Sequence, residues 1–486
     1  MSQPNPFTRR RFLFTSGITA AALATAGCGG GDSGGGSADG SVTIDWWDHF
    51  GPLQDLHKQW FVDYEKEHPK VHVEHQFYTG EKMWQSIQVA KQSNQLPDVF
   101  TLAGSDYPPA ALIDQGWLQP IELTDEAKDQ LPEGSLLEGI TIFDGDTYSF
   151  PIFSWRQYNC LAWHNKELLQ QAGIDPANPP TTYDEFRQAC RQVVDKTEAS
   201  GYIWFFKTDV AGHVHDLAQA AGFEGLNGVD FRTGEYSFHS DPYLQVIEFM
   251  HSLYTDKLMV EASTSMDANQ ARLRFAAGES AFWFEGPWAP GVLADEAEEF
   301  MPKMDVGPML VPEAGMDVVT YRPPVGGVFW LSKDSPHPKE ASEVMSTFTS
   351  KDYALKFSEN MDQPPADLDV VAEADAHPAW KKAIEFYRNT TYLAPVAAAG
   401  NPEESAVGSH IKPVELDLSD IVEGLFTGRI KNLEASLKDL SERSTANRAD
   451  AIEKAKKDGA EVSEEMYAFP NWEPLKDYTP DMYESR

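Results

Sequence analysis

The sequence predicts an α/β fold built as two lobes joined at a cleft, and three observations carry that expectation. Strand and helix patterns alternate from residue 42 to about residue 360. The first three strands come in βαβαβ order, which implies a parallel sheet with helices on its faces. At 486 residues the chain is also too long for one ordinary core and calls for two or three domain-sized units.

The elements follow in order. Val42 to Trp47 reads as a short strand. Leu53, Leu56, Trp60 and Tyr64 then recur at helical spacing until Pro69 stops the pattern. Val71, Val73 and Phe77 alternate as a second strand, a helix runs from about Lys82 to Gln92, and Pro97 to Leu102 gives a third strand. Asp144-Gly145-Asp146, flanked by Ile142/Phe143 and Tyr148/Phe150, is a hairpin signal; a calcium loop would need later ligand positions that are missing. Tyr158 to Trp163 reads as a strand ahead of a helix from about Lys166 to Ala172. Thr182 and Glu185 form a capping box, with Phe186, Ala189 and Val193 as the buried stripe beyond it. Arg429 to Arg448 is a charged helix with Leu433, Leu437 and Leu440 facing inward and the charges on a solvated face.

The N-terminus reads as an address. Thr8-Arg9-Arg10-Arg11-Phe12-Leu13 matches the twin-arginine export pattern, and a short apolar stretch follows to Ala26. Thr25-Ala26-Gly27-Cys28 resembles a bacterial lipobox, with Thr25 where Leu is usual. Residues 1–27 are therefore expected to be a signal peptide, Cys28 the lipidated residue, and 28–41 a Gly/Ser tether. Elsewhere no apolar run approaches the ~20 residues that cross a bilayer. The formal charge of −37 argues against nucleic acid, since nothing here could neutralise a phosphate backbone. Cys160 and Cys190 read first as small buried hydrophobes, with a disulfide between them left open.

Several short pieces succeed one another along the chain: Leu96-Pro97-Asp98-Val99, Gly116-Trp117-Leu118, Tyr148-Ser149-Phe150-Pro151, Pro180-Thr181-Thr182-Tyr183-Asp184-Glu185, Gly286-Pro287-Trp288 and Gly326-Gly327. In this order, over residues 42 to 478, they resemble the carbohydrate-type extracellular solute-binding proteins of ABC importers; Tyr183 replaces the usual Trp. The resemblance implies a periplasmic-binding-protein-like clamshell, each lobe a mostly parallel sheet flanked by helices. Three hinge crossovers are implied near Pro151–Trp155, Val325–Gly327 and residue 375. Lobe one would comprise 42–153 plus 325–376, and lobe two 154–324 plus 377–486. It further implies a protein that closes on a sugar and delivers it to membrane permease subunits; the many aromatics lean towards an oligosaccharide or glycoside, and a monomer without cofactor or metal is expected.

A sugar offers hydroxyl edges and weakly polar C–H faces, so its receptor needs flat aromatic rings together with carboxylates, amides or guanidiniums. On that chemistry the candidate ligand contacts are Trp46, Trp47 and Asp48 at the first strand's end, Asp106 and Tyr107, Trp155 and Arg156 after the first crossover, and Trp204. Trp283, Glu285 and Trp288 around Gly286 join them, with Gly327 at a crossover. Trp46 and Trp47 are adjacent, so a strand sends them to opposite faces and one should be core.

Two rivals stay open. A secreted carbohydrate-active enzyme would need paired carboxyls, but no nucleophile elbow, HExxH or Cys/His metal spacing appears. His213 and His215 are the nearest thing to a metal pair. Alternatively the same fold could take a glycerol phosphodiester or another anionic or amine solute, for which Arg156, Lys207 and Arg322 are the conspicuous cations.

Overall fold

The computed structural model describes residues 40–485 except 106, 133 and 209, so the twin-arginine segment, Cys28 and Asp106 lie outside the described residues. Strand β1 (Val42–Asp48) alternates buried Ile44, Trp46 and Asp48 with outward neighbours. Helix α1 (Gln54–Glu67) returns the chain to β2 (Val71–Phe77), and α2 (Gly80–Gln92) leads to β3 (Val99–Phe100). β1 pairs in parallel with both β2 and β3, as the βαβαβ order requires. The strand Trp330–Ser332, which returns late in sequence, inserts antiparallel between β3 and β4 (Leu118–Gln119). The five-stranded sheet is thus mixed, with β2 at its edge.

The second sheet has four strands in the order Met304–Gly307, Leu161–Asn165, Ser280–Glu285, Ser200–Ile203. Only the last pair is parallel. Every residue of Leu161–Asn165 and of Ser280–Glu285 is buried, the mark of strands covered on both faces. Asn165 caps the helix Lys166–Ala172 by accepting from the amides of Glu167 and Leu168, and Gly173 ends it in the left-handed conformation. Thr182 and Glu185 form the expected reciprocal capping box at Tyr183–Lys196. The hairpin at Asp144-Gly145 turns with positive φ at both residues, the geometry a two-residue turn needs.

Beside a smaller buried cluster that includes Phe100, Leu118 and Trp330 of the first sheet, two large cores hold the sheets. One gathers Ile44, Trp46, Val99, Phe329 and Phe348; the other gathers Trp163, Tyr202, Phe282, Trp283 and Trp380. The chain passes between them three times: after Ile152 and before Tyr158, after Val311 and before Val328, and after Phe357 and before Leu368. The last passage precedes the region around residue 375. The first and third passages run side by side, joined by backbone hydrogen bonds from Ser154 N to Pro364 O (2.9 Å) and Ala366 N to Ile152 O (3.2 Å). Cys160 and Cys190 are buried thiols that are not bridged to each other, and Cys160 Sγ donates to the His213 carbonyl at 3.4 Å. No helix among the described residues is long and apolar enough to cross a membrane.

Candidate ligand-binding site

Where the crossings meet, two cavities of about 400 and 420 Å³ share one wall, the indole of Trp288. The first is lined by Trp155, Asn159, His215, Asp216, Gln219, Trp288 and Arg322, among others. The second lies between Gly51 and Pro52 on one side and Gly291, Asn360 and Asp362 on the other.

Local sequence explains the placement of Trp288. The strand Ser280–Glu285 ends at Gly286, where a Cβ would come within 2.5 Å of the Trp288 ring. Glycine therefore lets the indole fold back across the strand end, and Pro290 then opens the helix Ala289–Glu296. On the helix Val210–Ala220, residues Gly212, His215, Asp216 and Gln219 follow an i, i+3, i+4, i+7 spacing and all face the first cavity.

The polar groups of this wall are already organised. Arg322 forms an ion pair with Asp216, donates from Nη1 to Gln219 Oε1 at 3.1 Å, and donates from Nε to the Gln157 carbonyl at 2.7 Å. Asp216 Oδ2 accepts from the Asn159 amide at 2.6 Å. His215 Nδ1 lies 2.6 Å from the Tyr243 hydroxyl. In the second cavity, burial pushes the Asp362 carboxyl up to about 6. The three cations singled out for an anionic ligand all have carboxylate partners: Arg322 with Asp216, Arg156 with Asp477, and Lys207 with Glu423.

The structure brings Trp155 and Trp288 together and places the other sequence candidates elsewhere. Trp46 is fully buried, with ring contacts of 4.6–5.1 Å to Phe61, Phe329 and Phe348, so it offers a ligand no surface. Trp47 points to the opposite face, donates to Asp45 Oδ1 at 2.8 Å, and lines a separate cavity along α2 with Tyr78. Asp48 is buried and tied to His57, His75 and the Phe50 amide. Tyr107 is exposed and lines neither cavity. Arg156 stacks on Trp155 at 4.1 Å but lies on its far side, in a cavity with Asp367, Arg388 and Asp477.

Trp204 is buried and donates to His213 Nδ1 at 2.8 Å. Trp283 is core against Phe275, and Glu285 is buried, accepting from the Gly286 amide at 3.0 Å. Gly327 serves close packing, since a Cβ there would lie 2.1 Å from the Ser149 side chain. Asn159, Asp216, Gln219 and Asp362 were not foreseen as site residues. The i, i+3, i+4, i+7 pattern of 212–219 was the available signal.

Comparison with known proteins gives a consistent result. The family model described as bacterial extracellular solute-binding protein matches residues 51–355. The melibiose/raffinose/stachyose-binding protein MelE of Bacillus subtilis is 24% identical over 346 residues, covering 66% of this chain and 72% of the relative. The sn-glycerol-3-phosphate-binding periplasmic protein UgpB of Agrobacterium fabrum is 26% identical over 153 residues, 29% of this chain and 34% of that protein. Among solved structures, the cyclic α-maltosyl-1,6-maltose binding protein of Arthrobacter globiformis superposes with a TM-score of 0.61 at 19% identity, over 85% of this chain and all of that one. Maltose-bound MalE3 of T. maritima also gives 0.61, at 22% identity, over 84% of this chain and all of that one.

Proposed function

Because the chain belongs to the bacterial extracellular solute-binding protein family, we propose that it serves an ABC transporter and, like its melibiose/raffinose/stachyose-binding relative, captures a neutral saccharide between its lobes. The rings of Trp155 and Trp288 stack on sugar faces, and Asn159, Asp216, Gln219 and Arg322 hydrogen-bond the hydroxyl edges. Asp362 extends the polar wall on the far side of Trp288. Closure about the three crossings encloses the ligand and presents the complex to permease subunits. The lobes divide at those crossings. The reading includes export by the twin-arginine route and a lipid anchor at Cys28 that tethers a monomer to the membrane's outer face. The chain binds its ligand without turning it over.

One observation carries the saccharide assignment. Two half-buried tryptophans line one cavity whose only cation from the sequence's anion-binding set, Arg322, is already neutralised by Asp216. A phosphate-bearing ligand would have to displace that carboxylate, at the cost of leaving it buried without its ion-pair partner.

Thermal unfolding of residues 41–486 with melibiose, raffinose, maltose, longer maltodextrins and glycerol 3-phosphate tests this. A ligand at a hundred times its dissociation constant adds about 2.7 kcal/mol of stability. A shift with one saccharide class and recovery of that sugar intact supports the reading. A shift with glycerol 3-phosphate alone overturns the ligand, and hydrolysis of the sugar overturns the binding role.

A further inference from the structure

In the first lobe's sheet and its helix, three metal-ligating side chains converge on one point that the saccharide site does not use. His57 Nδ1 lies 2.8 Å and His75 Nε2 2.9 Å from the same oxygen of Asp48, and the three atoms lie within 4.8 Å of one another. Three elements supply them: β1, α1 and β2. All three side chains are almost wholly buried, at 0%, 0% and 4% exposure.

We propose that Asp48, His57 and His75 form a binding site for a divalent transition cation such as zinc. The donor set is one carboxylate and two imidazoles, which suits zinc and its neighbours rather than calcium or magnesium. Zn–N and Zn–O bonds of about 2.0–2.2 Å in a tetrahedron hold their donors roughly 3.3 Å apart. The two oxygen–nitrogen separations, 2.8 and 2.9 Å, reach that with side-chain adjustments of a few tenths of an ångström, and the two nitrogens lie within 4.8 Å of each other.

Charge points the same way. Among the described residues the ion-pair partners of Asp48 are the two histidines, and no Lys or Arg pairs with it. A divalent ion would add positive charge beside the buried carboxylate, and three protein donors leave it one position for water. The outer support is in place as well. His57 Nε2 lies 3.0 Å from the Tyr353 hydroxyl, and Asp48 Oδ1 accepts from the Phe50 amide at 3.1 Å.

The location gives such an ion a structural role. Phe50 leads directly into Gly51 and Pro52, and the helix Lys351–Glu359 that carries Tyr353 leads into Asn360 and Asp362, so both walls of the second cavity hang from this cluster.

The test is titration of Co²⁺ and Zn²⁺ into the full chain, carrying Cys28→Ser to remove a competing thiol. One equivalent of Co²⁺ should produce the intense visible absorption of a tetrahedral site, and Zn²⁺ should displace it. His75→Gln should abolish the band and weaken Zn²⁺ binding by more than ~100-fold, while Tyr353→Phe weakens it ~10–100-fold. His72→Gln, an exposed histidine on the same strand, should change neither. If His75→Gln does not fold, X-ray absorption on the zinc-loaded parent chain decides: two imidazoles and oxygen in the first shell support the site. No tetrahedral band, a band that survives His75→Gln, or a shell without imidazole overturns it. None of these readouts needs a saccharide, so the outcome is independent of the proposed ligand.

Discussion

Gly286→Ala separates the role of Trp288 from the stability of the fold. The φ of Gly286 is not positive, so alanine is conformationally admissible. The new Cβ, however, would lie 2.5, 2.6 and 2.7 Å from three carbons of the Trp288 ring. Carbon atoms rest at about 3.5–4.0 Å, so the indole must retreat by roughly 1 Å. That ring is the wall shared by the two cavities, and on the proposed function its stacking with a sugar face is worth ~1 kcal/mol beyond area burial, by analogy with aromatic pairs. The dissociation constant for the saccharide identified by thermal unfolding should therefore rise about 5- to 10-fold. The melting temperature should hold or rise slightly, because replacing glycine restricts the unfolded chain. Titration calorimetry on Gly286→Ala, Trp288→Ala and the double variant reads this directly. If glycine acts only through the indole, the double variant binds no worse than Trp288→Ala, within ~0.5 kcal/mol. Unchanged affinity in Gly286→Ala, or a further loss in the double variant, refutes the reasoning.

Other predictions follow from the same geometry. Asp362 has a carboxyl pushed to about 6 by burial, so the folded chain holds a proton that the unfolded chain releases near pH 4. Its contribution is fully present below pH 4 and is lost as pH rises through about 6, with a ceiling of ~3 kcal/mol because the side chain keeps some contact with water. Asp362→Asn should flatten the urea-midpoint profile between pH 4 and 7 and be the more stable form at pH 7. Arg322→Ala strands Asp216 and should cost ~3–5 kcal/mol in chemical denaturation, along with saccharide affinity. Gly327→Ala drives a methyl group into Ser149 and should cost ~1–3 kcal/mol in thermal unfolding.

The parts of the fold that obey local rules were readable in advance. Hydrophobic period and caps gave β1 to β3, the Thr182 capping box and the Asp144-Gly145 hairpin, because each depends on neighbours within a few residues. Strand alternation also separated Trp46 from Trp47, though not which of them was core. The tryptophans were harder, because a side chain suited to stacking on a sugar is equally suited to filling a core. For Trp283 a signal existed: Phe282-Trp283-Phe284 shows no polar alternation, which marks a strand buried on both faces. For Trp204 the deciding partner, His213, is set by the tertiary fold. Arg448 made the same point on a helix expected to carry its charges on a solvated face. It is buried between the rings of Tyr236 and Tyr467, at 4.8 and 4.4 Å, and ion-paired to Glu464. Asp48, His57 and His75 come from three elements, and only the parallel register of β1 and β2 brings them together.

The paired first and third crossings also decide how the two halves can move. Two extended segments hydrogen-bonded edge to edge make a ribbon, and a ribbon is compliant in one bending direction and stiff in the other two. The lobes are therefore steered along a single swing, with twisting and sliding resisted by the backbone bonds at Ser154 and Ala366. On the proposed function that single swing is the motion that encloses the saccharide, so the angle at which it stops distinguishes the loaded chain from the empty one.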